Sequence, residues 1–364
     1  MTSRLQTLRR RLARRRLDAI LISQPENRRF LSNFSAPDHG IQESSGLLLI
    51  PRRGEPMLLT DSRYQIQAEQ EAEGFQVILY PKGVVALLSD LLPRLGIKRL
   101  AFESHYTLHS FGLKLAEMGQ KKKCELVPIT DLIESMRICK EEEEVAALEE
   151  SVLLNERVFQ EILPQMQPGM SEIEVAMLLE NRMRQLGAEG PSFATIVASG
   201  ENGALPHAVP GQRRLREGEP IVIDMGLIAA GYCSDMTRTV VLGQPAPKTR
   251  EIIRIVRQAQ LAALAGLKPG RTGRQVDQLA REIIADAGYG SAFGHGLGHG
   301  VGLAVHEAPS LSPRYNKVLR AGMVVTVEPG IYLEGWGGVR LESMVLVTED
   351  GCRLLNRDTS FLDL

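Results

Sequence analysis

The sequence predicts an α/β domain followed by an α+β domain made of two homologous halves. Three observations carry this. A length of 364 residues accommodates two domains at roughly 100–200 residues each. Strand-like apolar runs alternate with helical patterns up to residue 130. Beyond that point, four landmarks recur in the same order, the signature of an internal duplication.

Composition narrows the function classes. Hydrophobic residues make up 43% and charged residues 24%, which excludes wholesale disorder. A net charge of −1, from 43 basic and 44 acidic residues, leaves no chain-wide field for nucleic acid or an anionic membrane. The longest apolar runs, such as residues 46–50, fall far short of the roughly 18–20 residues of a membrane span. Cys124, Cys139, Cys233 and Cys352 are scattered without a CxxC pair. That argues against a disulfide scaffold or a cysteine zinc site and suits a reducing cytoplasm.

The first 17 residues hold seven arginines and no acid, superficially like a transit peptide. Leu5, Leu8 and Leu12 follow helical spacing, however, and predict a surface helix. Strands are expected at residues 19–23, 46–51, 56–60, 75–80 and 99–102, with helices at 62–73 and 84–95. No G-x-G-x-x-G or Walker loop is present, so nucleotide binding has no support. Domains are expected at 1–130 and 131–364. The acidic run 141–144 reads as a solvated helix N-terminus, where acids favour the dipole, and the helical pattern continues to about Leu163.

In the second domain, Gln167-Pro-Gly-Met-Ser-Glu-Ile-Glu-Val175 aligns with Lys268-Pro-Gly-Arg-Thr-Gly-Arg-Gln-Val276. Each opens an amphipathic helix that ends near a glycine, Gly187 or Gly288. Counted from Leu215-Arg216 and Leu319-Arg320, Asp224 and Glu328 fall at the same position without a gap. Each half is therefore expected to contain a helix followed by a β-hairpin. Asp224 ends one strand, and Asp235 is placed on its returning partner. Glu328 and Glu342 repeat the arrangement. Cross-strand neighbours lie about 5 Å apart, so four acids converge. Buried together they repel severely unless cations neutralise them. Two hard divalent ions about 3.5–4 Å apart form a hydrolytic site from such oxygens.

Four of the seven histidines fall in the second domain: His207 just ahead of the first acidic hairpin, and His295, His299 and His306 between the two hairpins. Gly294-His-Gly-Leu-Gly-His-Gly-Val-Gly302 alternates glycine with another residue. On a strand, that alternation puts His295 and His299 on one face. Neutral imidazole is a metal ligand, and glycine permits close approach of the backbone. An HExxH motif is absent, because His306-Glu307 lacks the second histidine.

These residues resemble the prolidase and aminopeptidase P family, over nearly the whole chain. Asp18-Ala-Ile-Leu-Ile and Asn27-Arg-Arg-Phe-Leu-Ser-Asn-Phe34 are similar to its creatinase-type N-terminal domain. The resemblance implies the duplicated pita-bread fold for the second domain. It also implies two divalent metal ions, manganese foremost and cobalt or zinc otherwise, held by Asp224, Asp235, His299, Glu328 and Glu342. In the family a bridging water attacks the scissile carbonyl, and the acid matched by Glu328 shuttles its proton. His207 and His306 match histidines that hold the substrate carbonyl and stabilise the tetrahedral intermediate. His295 and Arg340 match supporting positions. The implied activity is release of an N-terminal residue preceding proline from short peptides, in the cytoplasm and as a homodimer.

One departure bears on the substrate. Some family members carry an arginine directly after the His-Glu-x-Pro segment, suited to a dipeptide's C-terminal carboxylate. Here that position is Ser310, which favours an Xaa-Pro aminopeptidase over an Xaa-Pro dipeptidase (prolidase). The creatine-hydrolysing branch lacks the metal ligands that this chain retains. Methionine aminopeptidases lack the N-terminal domain. A non-catalytic pita-bread module that binds peptides is expected to have lost the ligand set, and none of it is lost here.

Overall fold

The computed structural model describes residues 3–358. The chain divides into two compact units, one ending at Arg137 and the other starting at Ile138.

The first unit is a mixed six-stranded sheet with helices. Its elements are α1 (Ser3–Arg14), β1 (Ala19–Ile22), α2 (Pro25–Ser32), β2 (Leu47–Pro51), β3 (Met57–Thr60), α3 (Gln65–Glu71), β4 (Gln76–Leu79), α4 (Val84–Arg94), β5 (Arg99–Glu103), α5 (His109–Lys122), β6 (Glu125–Ile129) and a short α6 (Glu134–Arg137). The strand order is β4-β3-β2-β1-β5-β6. The arginine-rich segment is a helix that buries Leu5, Leu8 and Leu12, as the spacing predicts. Four elements lie outside those expected from the sequence: α2, α5, β6 and α6. In α2 the polar Asn27 and Arg28 bury alongside Phe30 and Leu31, which dilutes its apolar signal. Arg28 is held by Asp38 at 2.8 Å and by the carbonyls of Ser23, Ala36 and Gly46.

The second unit repeats itself. Its first half holds α7 (Glu142–Ile162), α8 (Glu172–Gln185), β7 (Gly190–Pro191), β8 (Ile196–Ser199), β9 (Pro220–Met225), β10 (Leu227–Ala229), β11 (Tyr232–Cys233) and β12 (Met236–Val241). The second half holds α9 (Pro247–Gly266), α10 (Gly273–Asp286), β13 (Gly298–Gly300), β14 (Glu307–Leu311), β15 (Val324–Val327), β16 (Gly330–Leu333), β17 (Gly337–Arg340), β18 (Ser343–Val347) and β19 (Cys352–Leu354). Each half thus opens with two helices; the first pair matches the helical patterns expected before Leu163 and after Gly169, and α9 is additional. The main sheets are β12-β9-β8 in the first half and β14-β13-β15-β18-β19 in the second.

The duplication reaches single hydrogen bonds. Ser171 caps α8 in a capping box with Glu174, and Thr272 caps α10 in one with Gln275. Gly169 N donates to Leu215 O at 2.9 Å, and Gly270 N donates to Leu319 O at 3.1 Å. Leu215 and Leu319 return bonds of 2.8 Å to Met170 O and Arg271 O. Gly169 and Gly270 have φ of 93° and 88°, a region that favours glycine and explains the paired Pro-Gly turns. Among the described residues no helix is long and apolar enough to cross a membrane.

Candidate metal centre

Every residue of β9 is buried, and its apolar run carries Asp224 inward opposite Thr237 of β12. Asp235 directly precedes β12 instead of lying on it. In the other half, Val327 of β15 faces Ser343 of β18, Glu328 follows β15, and Glu342 precedes β18. The return arm expected as one strand is two strands, β17 and β18, with Leu341-Glu342 as the connector. The cause is the β16–β17 hairpin, which forms a separate two-stranded sheet and interrupts the ladder. Each acid therefore sits at or beside a strand end.

These ends meet. Asp235, His299 and Glu342 each present one ligand atom within 4.8 Å of the others. His299 Nε2 lies 3.5 Å from Asp235 Oδ2 and 3.3 Å from Glu328 Oε1. Asp224 Oδ2 accepts from Arg340 Nη2 at 2.6 Å, while its Oδ1 is buried and accepts no hydrogen bond. Glu342 Oε2 accepts from Thr237 Oγ1 at 2.7 Å, and Glu328 Oε1 accepts from Thr326 Oγ1 at 3.2 Å. All five expected ligands line one cavity of about 490 Å³, together with His207, His295, His306, Ser310 and Arg340.

Burial, reinforced by the neighbouring acids, holds the Asp235 and Glu328 carboxyls well above the usual carboxylate range. Glu342 is pushed up to about 7, first by burial and then by Asp224. Burial holds the His295 and His299 imidazoles down at about 4, so both are neutral and offer lone pairs. Acids this reluctant to ionise, beside neutral imidazole, form a site that gains its charge when cations arrive. With the orphaned Asp224 Oδ1 and the all-oxygen-and-imidazole donors, the residues fit hard or borderline divalent ions.

The histidines reach the cavity by different routes. His299 is on β13, but β13 spans only Gly298–Gly300, so His295 lies outside it rather than on a shared strand face. Arg281 of α10 holds His295 O at 2.7 Å. The His295 ring accepts or donates at Tyr332 OH over 2.9 Å, and its Nδ1 is 4.0 Å from Glu328 Oε2. His207 and His306 are exposed at the rim, with the His306 ring 4.3 Å from that of His299.

Three contributors escape sequence reasoning: Tyr332, Thr237 and Thr326. Arg340 Nη1 donates to Tyr332 OH at 2.8 Å, and Arg340 Nε to Thr237 Oγ1 at 3.0 Å. Thr237 and Thr326 each stand two residues from an expected ligand, Asp235 or Glu328, a spacing legible in the sequence. Nothing local marks Tyr332.

Residues 146–349 match the model of metallopeptidase family M24, and residues 4–139 match the creatinase/prolidase N-terminal domain. The chain belongs to metallopeptidase family M24. An uncharacterised peptidase of Bacillus subtilis is 40% identical over 97% of both chains. An Xaa-Pro dipeptidase structure from Bacillus anthracis superposes with a TM-score of 0.91 at 37% identity, covering 98% of this chain and 97% of that one. An X-Pro aminopeptidase structure from Thermotoga maritima gives 0.87 at 38% identity, covering 96% and 98%. The duplicated halves of this family M24 member are the pita-bread architecture, with the acids and His299 at their junction.

Proposed function

We propose that this protein is a metal-dependent Xaa-Pro exopeptidase, and that it acts as an aminopeptidase on the bond between an N-terminal residue and proline. The observation that carries this is the convergence of Asp224, Asp235, His299, Glu328 and Glu342 on one cavity. These five would hold two divalent ions, manganese foremost. Bound there, such ions supply Lewis-acid polarisation of a carbonyl and lower the pKa of a water.

The remaining work falls to side chains. Glu328, whose carboxylate has its proton affinity raised by burial, takes a proton from the attacking water and returns it to the departing proline nitrogen. His207 and His306, at the rim, donate to the substrate carbonyl oxygen as it gains charge. Arg340 keeps Asp224 oriented through the 2.6 Å bond. His295 is held by Tyr332 against the side of Glu328.

Among the lining residues, Arg340 is the one arginine or lysine, and Asp224, Thr237 and Tyr332 occupy it. Ser310 Oγ donates weakly to Gly298 O at 3.5 Å. Among the described residues the cavity lining offers no second guanidinium for a dipeptide carboxylate, which supports the aminopeptidase. The name of the Bacillus anthracis structure favours the second possibility, an Xaa-Pro dipeptidase. Paired hydrolysis of an Xaa-Pro dipeptide and an Xaa-Pro tripeptide, after manganese loading, separates them. Tripeptide cleavage before proline is expected; cleavage of the dipeptide alone makes the protein a prolidase. Hydrolysis of neither removes the prolyl specificity. The near-neutral charge and the scattered cysteines, with no CxxC pair, support a cytoplasmic enzyme, and a homodimer is proposed from the family resemblance.

A further inference from the structure

Gln260 lies on α9, wholly buried in an otherwise apolar core. Its Nε2 donates to Val327 O and to Leu341 O, each at 3.2 Å. These carbonyls belong to the residues immediately before Glu328 and Glu342. Its Oε1 accepts from Arg257 on the same helix, which leaves the amide's two N–H bonds for the two carbonyls.

The position is mechanically sensitive. Pairing of β15 with β18 ends where Val327 faces Ser343. Between that point and the start of the β16–β17 ladder at Gly330 and Arg340, the segments carrying the two glutamates are joined by a long 3.4 Å bond from Leu341 N to Pro329 O and by the Gln260 side chain. The outer sides of both segments are anchored elsewhere. Glu328 N donates to Leu297 O at 2.8 Å, and Arg238 Nη1 donates to Glu342 O at 2.6 Å. A leucine would fill the place of Gln260 without needing partners. A buried amide is warranted there by the two carbonyls it satisfies.

We propose that Gln260 is a positioning residue whose single amide group brackets the backbone before Glu328 and Glu342 and sets the spacing of these two carboxylates for a cation pair. This rests on the metal-dependent function proposed above. Outer-sphere hydrogen bonds that orient ligands typically govern metal affinity by 10–100-fold.

The test is titration of metal-stripped full-length protein with manganese, followed by calorimetry and by electron paramagnetic resonance. Gln260→Leu keeps the volume and removes both donors. Gln260→Met, of matched length, carries the test if the leucine variant does not fold. Val256→Ala, about one turn earlier on α9 and buried among apolar neighbours, controls for general destabilisation. The expected result is a ten- to hundredfold weaker affinity for at least one ion in the Gln260 variants, with loss of the spin-coupled two-ion signal. Val256→Ala should lower Tm and leave both readouts unchanged. Wild-type affinity and coupling in a folded Gln260 variant overturn the proposal, as does equal weakening by Val256→Ala. A wild-type protein that takes up no manganese overturns the metal-dependent function itself, and the inference with it.

Discussion

Arg340 Nη2 donates to Asp224 Oδ2 at 2.6 Å, so a guanidinium from the second half of the duplication holds an acid of the first. The same group reaches Thr237 and Tyr332. Asp224 accepts this bond with one oxygen and leaves the other bare.

Arg340→Met should therefore damage more than charge. Removing one partner of a buried pair costs about 3–5 kcal/mol, and Asp224 loses its orientation. Denaturant unfolding and bound-metal analysis are expected to show both losses. Arg340→Lys should rescue little, because a single ammonium cannot span three partners fixed by a planar fork. Full recovery by lysine would reduce the role to net charge.

Asp235→Ala removes one of the three groups whose ligand atoms lie within 4.8 Å of each other. We expect peptide hydrolysis to fall by several orders of magnitude, with metal content below that of the wild type. Full activity with full metal content in this variant would remove the proposed site.

The metal-free protein should lose stability as pH rises above neutrality. Glu342 titrates at about 7, and Asp235 and Glu328 are also raised. A raised acid stabilises the fold fully below its unfolded pKa and loses that contribution as pH climbs through the folded value. The depressed His295 and His299 act oppositely, stabilising above their unfolded pKa and losing that as pH falls. Above about pH 6.5 the carboxylates therefore decide the slope. Tm in chelator should fall from about pH 6.5 to about pH 8, and added manganese should widen the gap between loaded and chelated protein over that window. A constant gap would contradict the raised acids.

The glycine-rich run separates into essential and dispensable members. A Cβ at Gly298 would meet Thr326 O at 2.0 Å, backbone that cannot yield, whereas one at Gly294 meets nothing within 4 Å. Gly298→Ala should displace β13 with His299, costing about 1–3 kcal/mol and most of the activity. Gly294→Ala should be close to wild type in thermal melting and kinetics. Equal tolerance at both positions would show that β13 is not held against β15 as described.

The sequence by itself determined the duplication, the first unit's α/β character and the identity of the converging donors. Those properties are written locally. Paired Pro-Gly turns, matched capping residues and acids at the ends of apolar runs depend on a few adjacent residues, so their pattern survives as text. What the tertiary structure alone decided is where the strands break and what holds each donor. Leu341-Glu342 became a connector because β16 and β17 pair with each other, a competition among distant strands that no local period records. Tyr332 beside His295, Arg28 inside the first unit and Gln260 across two carbonyls are polar groups that are stable when buried only with partners far along the chain. Their burial follows from the assembled packing, since in isolation each residue reads as an ordinary exposed side chain.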